Sequence, residues 1–291
     1  MMDPQKSVKE DVRNFYDRVG WQLEDGEHYQ NAHYEDLRPV AQEYIHRCHL
    51  RVNRHLKPGG KYLLDAGSGP IQYPEYLTYS EHYQYRVCAD ISIVALKEAR
   101  KRTGEKGLMV VADVANLPFK EDVFDGAVSL HTFHHLPLEE QVRAYDEIYR
   151  VLAPGSSAVV VNGWSESPLM KRWGWVARWM NGLRGLRARL LGKKHQQAAT
   201  KPAAQTPEAP TGTYTVKNDA PWLKKTLDGR MDFEILVWRS LSVNFLRAVF
   251  HEKLAGRALL RWVYQQEERN PHYCGENGQY PLVVVRKQPA A

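Results

Sequence analysis

Leu63-Leu64-Asp65-Ala66-Gly67-Ser68-Gly69-Pro70 is the stretch from which the rest of the chain is read. Lys61 to Ala66 reads as an apolar strand that runs directly into a glycine turn. Glycines in such a turn let the backbone approach a ligand where a Cβ would clash. A helix N-terminus just beyond would favour a negative group such as a carboxylate or phosphate. Glycine turns also close many strands that bind nothing, so the flanking pattern has to carry the argument. Pro58-Gly59-Gly60 separates this strand from a helical N-terminal region, where Val8, Val12, Phe15 and Val19, then Leu37, Val40, Ala41, Tyr44, Ile45 and Cys48, recur at helical spacing. Downstream, apolar strands alternate with helices. Strands are expected at Arg86–Asp90, Gly107–Ala112, Phe124–Leu130 and Ser157–Asn162, and helices over Ile93–Arg102 and Leu138–Leu152, the latter closed by Pro154-Gly155. Near-continuous apolar strands with helical crossovers predict a doubly wound α/β domain, its sheet parallel and covered on both faces.

The acids at the strand ends raise the odds that the turn binds a nucleoside. Asp90 closes the second strand, 21 residues after Gly69. A carboxylate there can accept hydrogen bonds from both ribose hydroxyls. Asp113 closes the third, within Ala112-Asp113-Val114-Ala115-Asn116-Leu117-Pro118-Phe119, and can accept from an adenine amino group or cap a turn.

With these residues the sequence resembles the class I S-adenosylmethionine (SAM) methyltransferases over residues 60 to 163. It looks like the subgroup whose fourth strand leads into a Ser-x-x-x-x-His-His-Leu-Pro stretch, here Ser129 to Pro137 with His131, His134 and His135. The resemblance implies that the turn, Asp65, Gly67, Ser68 and Gly69, holds the methionine part of SAM; the third glycine of the family motif is Ile71 here. It further implies Asp90 and Ile91 at the ribose, Asp113 and Val114 at the adenine, and Leu130 and His131 as the floor. S-adenosylhomocysteine would be the product. It also implies a mostly parallel seven-stranded sheet with the last strand antiparallel, a helical N-terminal lid and a helical cap insertion. The competing reading is an NAD(P)-dependent oxidoreductase, but Gly-x-Gly-x-x-Gly is incomplete at Gln72.

Methyl transfer to a hydroxyl or protonated amine needs a base, and a histidine serves at neutral pH. His131 and His134 are the candidates. No acid or cysteine completes a metal ligand set around them, so no metal is expected. From the N-terminal region, Tyr16 is a candidate to hydrogen-bond the cofactor and Arg38 to pair with its carboxylate, against plainer roles as a packed aromatic and a surface ion pair.

The 291 residues carry a net charge of +6, but nine Lys or Arg and no acid fall between Ser167 and Pro207; the rest balances at −3. The basicity is therefore local, and nucleic acid is not the expected partner. Trp175, Trp179, Leu183, Leu186 and Leu190 form an apolar helical stripe inside this segment. It reads as an acceptor-side cap, a peripheral membrane contact through 169–194 or, least, a nucleic-acid contact. Residues 196 to 212 read as a flexible linker or loop. Beyond it, Phe233–Trp238 and Pro281–Arg286 are strand-like and Val243–Gln266 helical, while Trp222, Trp238, Trp262 and Tyr280 read as core. The expected units are a lid over 1–58, a SAM-binding core over 59–164, the insert and linker over 165–230 and closing strands over 231–291. Three scattered cysteines, no signal-like start and no long apolar run fit a cytoplasmic enzyme. The expected reaction is methylation of an oxygen or nitrogen on a small-molecule or lipid-like acceptor. A membrane-associated binding protein without catalysis is a further alternative.

Overall fold

The computed structural model describes residues 4–17, 35–190 and 213–289. The linker expected at 196–212, Val19 of the first helical pattern and the far end of the basic segment lie outside the described residues.

Two helices open the chain, α1 (Pro4–Phe15) and α2 (Pro39–Leu50). The α/β alternation then runs β1 (Gly60–Ala66), β2 (Tyr83–Asp90), α3 (Ile93–Thr103), β3 (Gly107–Val111), β4 (Phe124–Leu130), α4 (Leu138–Val151) and β5 (Leu152–Val161). After the long α5 (Pro168–Leu190) and short α6 (Ala220–Leu227) come β6 (Asp232–Arg239), α7 (Val243–Val249), α8 (Gly256–Arg269), α9 (Pro271–Asn277) and β7 (Tyr280–Arg286). Polar caps set three helix starts: the side chains of Ser92, Asp219 and Ser242 accept from the backbone N–H groups of Ala95, Trp222 and Phe245.

The sheet order is β3-β2-β1-β4-β5-β7-β6. The first five strands in that order are parallel, and β7 is antiparallel to both its neighbours. Successive strand residues point to opposite faces. Leu64, Ala127 and Val160 therefore enter one core, shared with Ala144 and Ile148 of α4. Leu63, Val128, Val159 and Val284 enter the other, with Leu96 of α3. A third cluster joins α2, α7 and α8 through Val40, Tyr44, Leu246 and Leu260. Sheet order reverses between β1 and β4, and the crevice outside the C-terminal strand ends at such a point is where open α/β sheets bind ligands. Among the described residues no helix is long and apolar enough to cross a membrane.

Three local expectations are corrected. The segment after the glycine turn is a 3₁₀ helix, Pro74–Ser80, not an α-helix aimed at a ligand. Pro154-Gly155 does not end a helix: Gly155, at φ +75°, bends the chain inside β5, and the pairing with β4 shifts register beside it. The pattern over Val243–Gln266 breaks into α7 and α8: Phe250 and His251 are extended, and Ala255, at φ +53°, is left-handed just before α8.

Candidate active site

A cavity of about 440 Å³ opens at the C-terminal ends of the parallel strands. Its walls come from the turn after β1, the ends of β2 and β4, α1, and an extended segment at 213–217. Of the residues expected at the cofactor, Gly67, Ser68, Gly69, Asp90, Ile91, Asp113, Val114, Leu130, His131 and Tyr16 all line it.

The turn is shaped by its glycines. Gly67 and Gly69 have φ of +72° and +52°, and a Cβ on Gly67 would lie 2.2 Å from the Thr132 side chain. Ile71, at the family's third glycine position, is itself left-handed at φ +57° and fully buried. A β-branched residue is rarely found there, at a cost of roughly 1–2 kcal/mol that packing must offset. The turn spends its donors internally. The N–H groups of Gly67 and Ser68 donate to the Ala89 carbonyl, that of Ile71 to the Ser68 carbonyl, and that of Gly69 to the Asp90 carboxylate; Pro70 has none. A pyrophosphate would need free backbone donors and an α-helix N-terminus here. Both are missing among these residues, which disfavours a dinucleotide more firmly than Gln72 does.

Asp65 does not line the cavity. Its carboxylate is 2% exposed and accepts from both Nε (3.0 Å) and Nη2 (2.5 Å) of buried Arg86 on β2. It braces the turn from below. Asp90 accepts from Gly69 N–H at 2.9 Å and Ser92 N–H at 2.8 Å. Two of about four lone-pair sites remain, which suits a diol. Burial raises its pKa to about 6, against the pull of those two N–H groups. Asp113 takes one of the two roles considered for it, capping a turn by accepting from Ala115 N–H at 2.9 Å with one oxygen, while the other oxygen pairs with Lys9 of α1. Lys9 also pairs with Glu140 at 2.7 Å, so α1 is tied to the cavity wall by charge.

The three histidines differ in their freedom. His135 donates Nδ1–H to the Tyr214 carbonyl at 2.8 Å, which leaves Nε2 to accept from the Tyr16 hydroxyl at 2.7 Å. Both nitrogens are spent, and its role is to orient Tyr16. His134 has Nδ1 3.2 Å from the Asn162 amide oxygen. His131, left-handed at φ +57°, has no side-chain hydrogen-bond partner among the described residues and packs edge-on against Trp238 and Tyr280. Burial, then the Arg239 charge, pushes its pKa down to about 3; burial and its histidine neighbours take His134 well below the usual range. Both are neutral at pH 7, and the burial that keeps them so also makes them weak bases. No cluster of three or more metal-ligating side chains occurs among the described residues.

Arg38 is not at the cavity. Its guanidinium makes a two-point pair with Asp36 and donates to the Leu246 carbonyl at 3.0 Å, clasping the start of α2 onto α7. The stripe of α5 does not cover the cavity either: Trp175, Trp179 and Leu183 are exposed, at 57, 60 and 45%. Trp262 is also exposed, Trp238 is buried as expected, and Tyr280 lines the cavity. Sequence reasoning missed the far wall. A buried Glu35–Arg239 ion pair stands there, with Glu35 held at about 2 because Arg239 and His49 outweigh its burial. Thr213, Thr215 and Lys217 stand beside it. The alternation Thr213-Tyr214-Thr215-Val216-Lys217 was the available signal, since an extended chain presents every second residue to one side.

The methyltransferase-domain family matches residues 64–160. Over 156 residues the chain is 28% identical to a tRNA (carboxymethyluridine(34)-5-O)-methyltransferase of Arabidopsis thaliana, a match covering 46% of this chain and 37% of that protein. Over 159 residues it is 30% identical to sterol methyltransferase-like 1 of Botryococcus braunii, covering 50% and 38%. The chain thus spans under two-fifths of the length of these curated relatives. Geranyl diphosphate C-methyltransferase from Streptomyces coelicolor has a similar fold, with a TM-score of 0.55 at 13% identity, covering 98% of this chain and all of that one. So has the cyclase SpnF, with a TM-score of 0.50 at 19% identity, covering 97% and 94%. A cyclase and a methyltransferase on one fold leave the reaction to be argued from the site.

Proposed function

We propose that this chain, which belongs to the class I SAM-dependent methyltransferase family, transfers a methyl group from SAM to an oxygen or nitrogen of a small-molecule or lipid-like acceptor. The observation that carries the cofactor reading is Asp90, a half-satisfied carboxylate locked to the turn by Gly69 and facing the cavity. Gly67 keeps the turn open, Asp90 holds the ribose, and the Asp113–Val114 loop flanks the adenine. SAM supplies a methyl group activated by an adjoining sulfonium, with a neutral thioether left behind. The protein's share is to hold the acceptor atom in line, worth roughly 7–11 kcal/mol. It must also take up the acceptor's proton, worth about 10²- to 10⁴-fold. His131 is the base this reading favours, because it lines the cavity and its ring has no hydrogen-bond partner among the described residues; His134 lines the cavity too. His131→Ala should lower turnover about 10²-fold or more while S-adenosylhomocysteine affinity changes less than threefold. Unchanged turnover removes His131 from the mechanism.

The sterol relative supports an apolar acceptor, whereas the tRNA relative means that the expectation against nucleic acid is not carried forward. A peripheral membrane role has its own support. On α5, exposed Trp175, Trp179 and Leu183 stand in a helix that also carries Lys171, Arg172 and Arg178, an arrangement suited to an anionic interface. Flotation with vesicles containing a third phosphatidylserine should carry the protein upward. Trp175→Ala with Trp179→Ala should abolish this, and wild-type protein left at the bottom would end the membrane reading.

A further inference from the structure

The far wall of the cavity carries a cation that nothing in the methyl-transfer reading uses. Lys217 lies within an extended segment pinned to the α/β core on both sides. Val216 N–H donates to the His134 carbonyl at 2.7 Å, and Gln141 donates to the Val216 carbonyl at 2.9 Å. Asn218 donates from its side chain to Gln141 at 2.7 Å and accepts at its carbonyl from Ser165 N–H at 2.8 Å. These bonds fix the alternation of the segment, so that Thr213, Thr215 and Lys217 line the cavity together. The ammonium sits at the end of β5: a Cβ built on Gly163 would lie 3.4 Å from it and 3.4 Å from the Tyr280 ring.

Lys217 has no ion pair or hydrogen bond among the described residues. Its pKa is lowered by burial, and no carboxylate among the described residues offsets this. The other cations of the cavity are committed, Lys9 to Asp113 and Glu140, and Arg239 to Glu35. Among the described residues, the Thr213 hydroxyl further along the same strip is buried with no partner, as is Nε of Arg239. A half-buried ammonium with no counter-charge among those residues is costly unless an anion completes it. The cofactor end is acidic, through Asp90 and Asp113, so charge divides the cavity into an acidic cofactor end and a cationic acceptor end.

We propose that Lys217, with Thr213 and Thr215, forms an anion subsite that anchors a carboxylate or phosphate group of the methyl acceptor. The inference rests on the methyl-transfer reading and adds to it the acceptor's charge. An acidic acceptor would neutralise Lys217 and leave His131 and His134 facing a less positive wall.

The test is calorimetric titration of hexanoate, inorganic phosphate and inorganic pyrophosphate into the full chain, with and without saturating S-adenosylhomocysteine, for wild type, Lys217→Met and Lys217→Arg. At least one anion should bind wild type. Lys217→Met should weaken it tenfold or more, Lys217→Arg should retain it within about threefold, and S-adenosylhomocysteine affinity should be the same in all three. Hexanoate alone identifies a carboxylate acceptor, and phosphate or pyrophosphate a phosphorylated one. Equal anion binding in wild type and Lys217→Met, or none in wild type, overturns the proposal. So does loss of S-adenosylhomocysteine affinity in Lys217→Met, which would assign the lysine to the cofactor's own carboxylate. If wild type does not bind S-adenosylhomocysteine, the methyl-transfer reading fails by itself, and the titrations without it still decide the lysine.

Discussion

Asp90 shows how one carboxylate can both shape a site and serve it. Two backbone N–H groups fix its orientation, and its remaining lone pairs face the cavity. Burial raises its pKa to about 6, within reach of ordinary buffers. Protonation removes acceptor capacity from the carboxyl, so ribose binding should weaken as pH falls through that value. S-adenosylhomocysteine affinity should be flat above pH 7 and drop by up to tenfold per unit below about 6, and Asp90→Asn should be weak and flat throughout. A wild-type affinity constant from pH 8 to 5 would remove Asp90 from the ribose. The acids and glycines of this site were legible because strand ends and turns repeat on a fixed spacing. Of the two roles offered for Arg38 the plainer ion pair is the one seen, because Asp36 is two residues away and an adjacent acid can claim a guanidinium before any ligand does. Lys217, Arg239 and Glu35 were not legible. Glu35 and Arg239 pair across 204 residues of chain, and Lys217 reaches the same cavity because its segment bonds to His134 and Gln141; the alternation over 213–217 marks one side of that segment but not where it docks.

At the level of elements, the glycine turn depends on a pair of strands rather than on its own residues. Asp65 at the end of β1 and Arg86 on β2 form a buried ion pair directly beneath it. A buried pair adds little net stability, but removing one partner strands the other charge, at about 3–5 kcal/mol. Asp65→Ala should therefore lower unfolding stability by about that amount in urea titrations, whereas Asp90→Asn, at the cavity, should cost far less. A loss under 1 kcal/mol for Asp65→Ala would show that Arg86 finds another partner. β1, β3 and β4 were readable almost to the residue from their apolar centres, whereas β2 and β5 begin earlier than expected, at Tyr83 and Leu152. The boundary of α7 and α8 was not. The apolar periodicity continues across the break, where Phe250 and His251 are extended and Ala255 is left-handed, none of them with a sequence signature. The stripe of α5 was visible as a stripe, but periodicity cannot say whether an apolar face is covered. In the fold its Trp175, Trp179 and Leu183 are exposed.

Across the whole molecule, the order β3-β2-β1-β4-β5-β7-β6 brings the ends of β1, β2 and β4 to one crevice, and α1 closes over it through the Lys9 pairs. The class of this architecture could be inferred from strand–helix alternation and the antiparallel last strand from the family resemblance, while the placing of β7 between β5 and β6 was not read from the sequence. The helical layer of α2, α7 and α8 forms its own cluster beside the sheet, clasped by Arg38 and by a buried Arg51–Glu267 pair at 3.0 Å. It supports the far wall without contributing to the cofactor end. The account as a whole depends on the crevice being a SAM site. Calorimetric titration of S-adenosylhomocysteine into the full chain, with NADH as comparison and Asp90→Ala as control, tests this most directly. The account predicts saturable one-to-one binding at micromolar affinity that is lost in Asp90→Ala, with no heat from NADH. Binding of NADH without S-adenosylhomocysteine, or S-adenosylhomocysteine binding that survives Asp90→Ala undiminished, would contradict it.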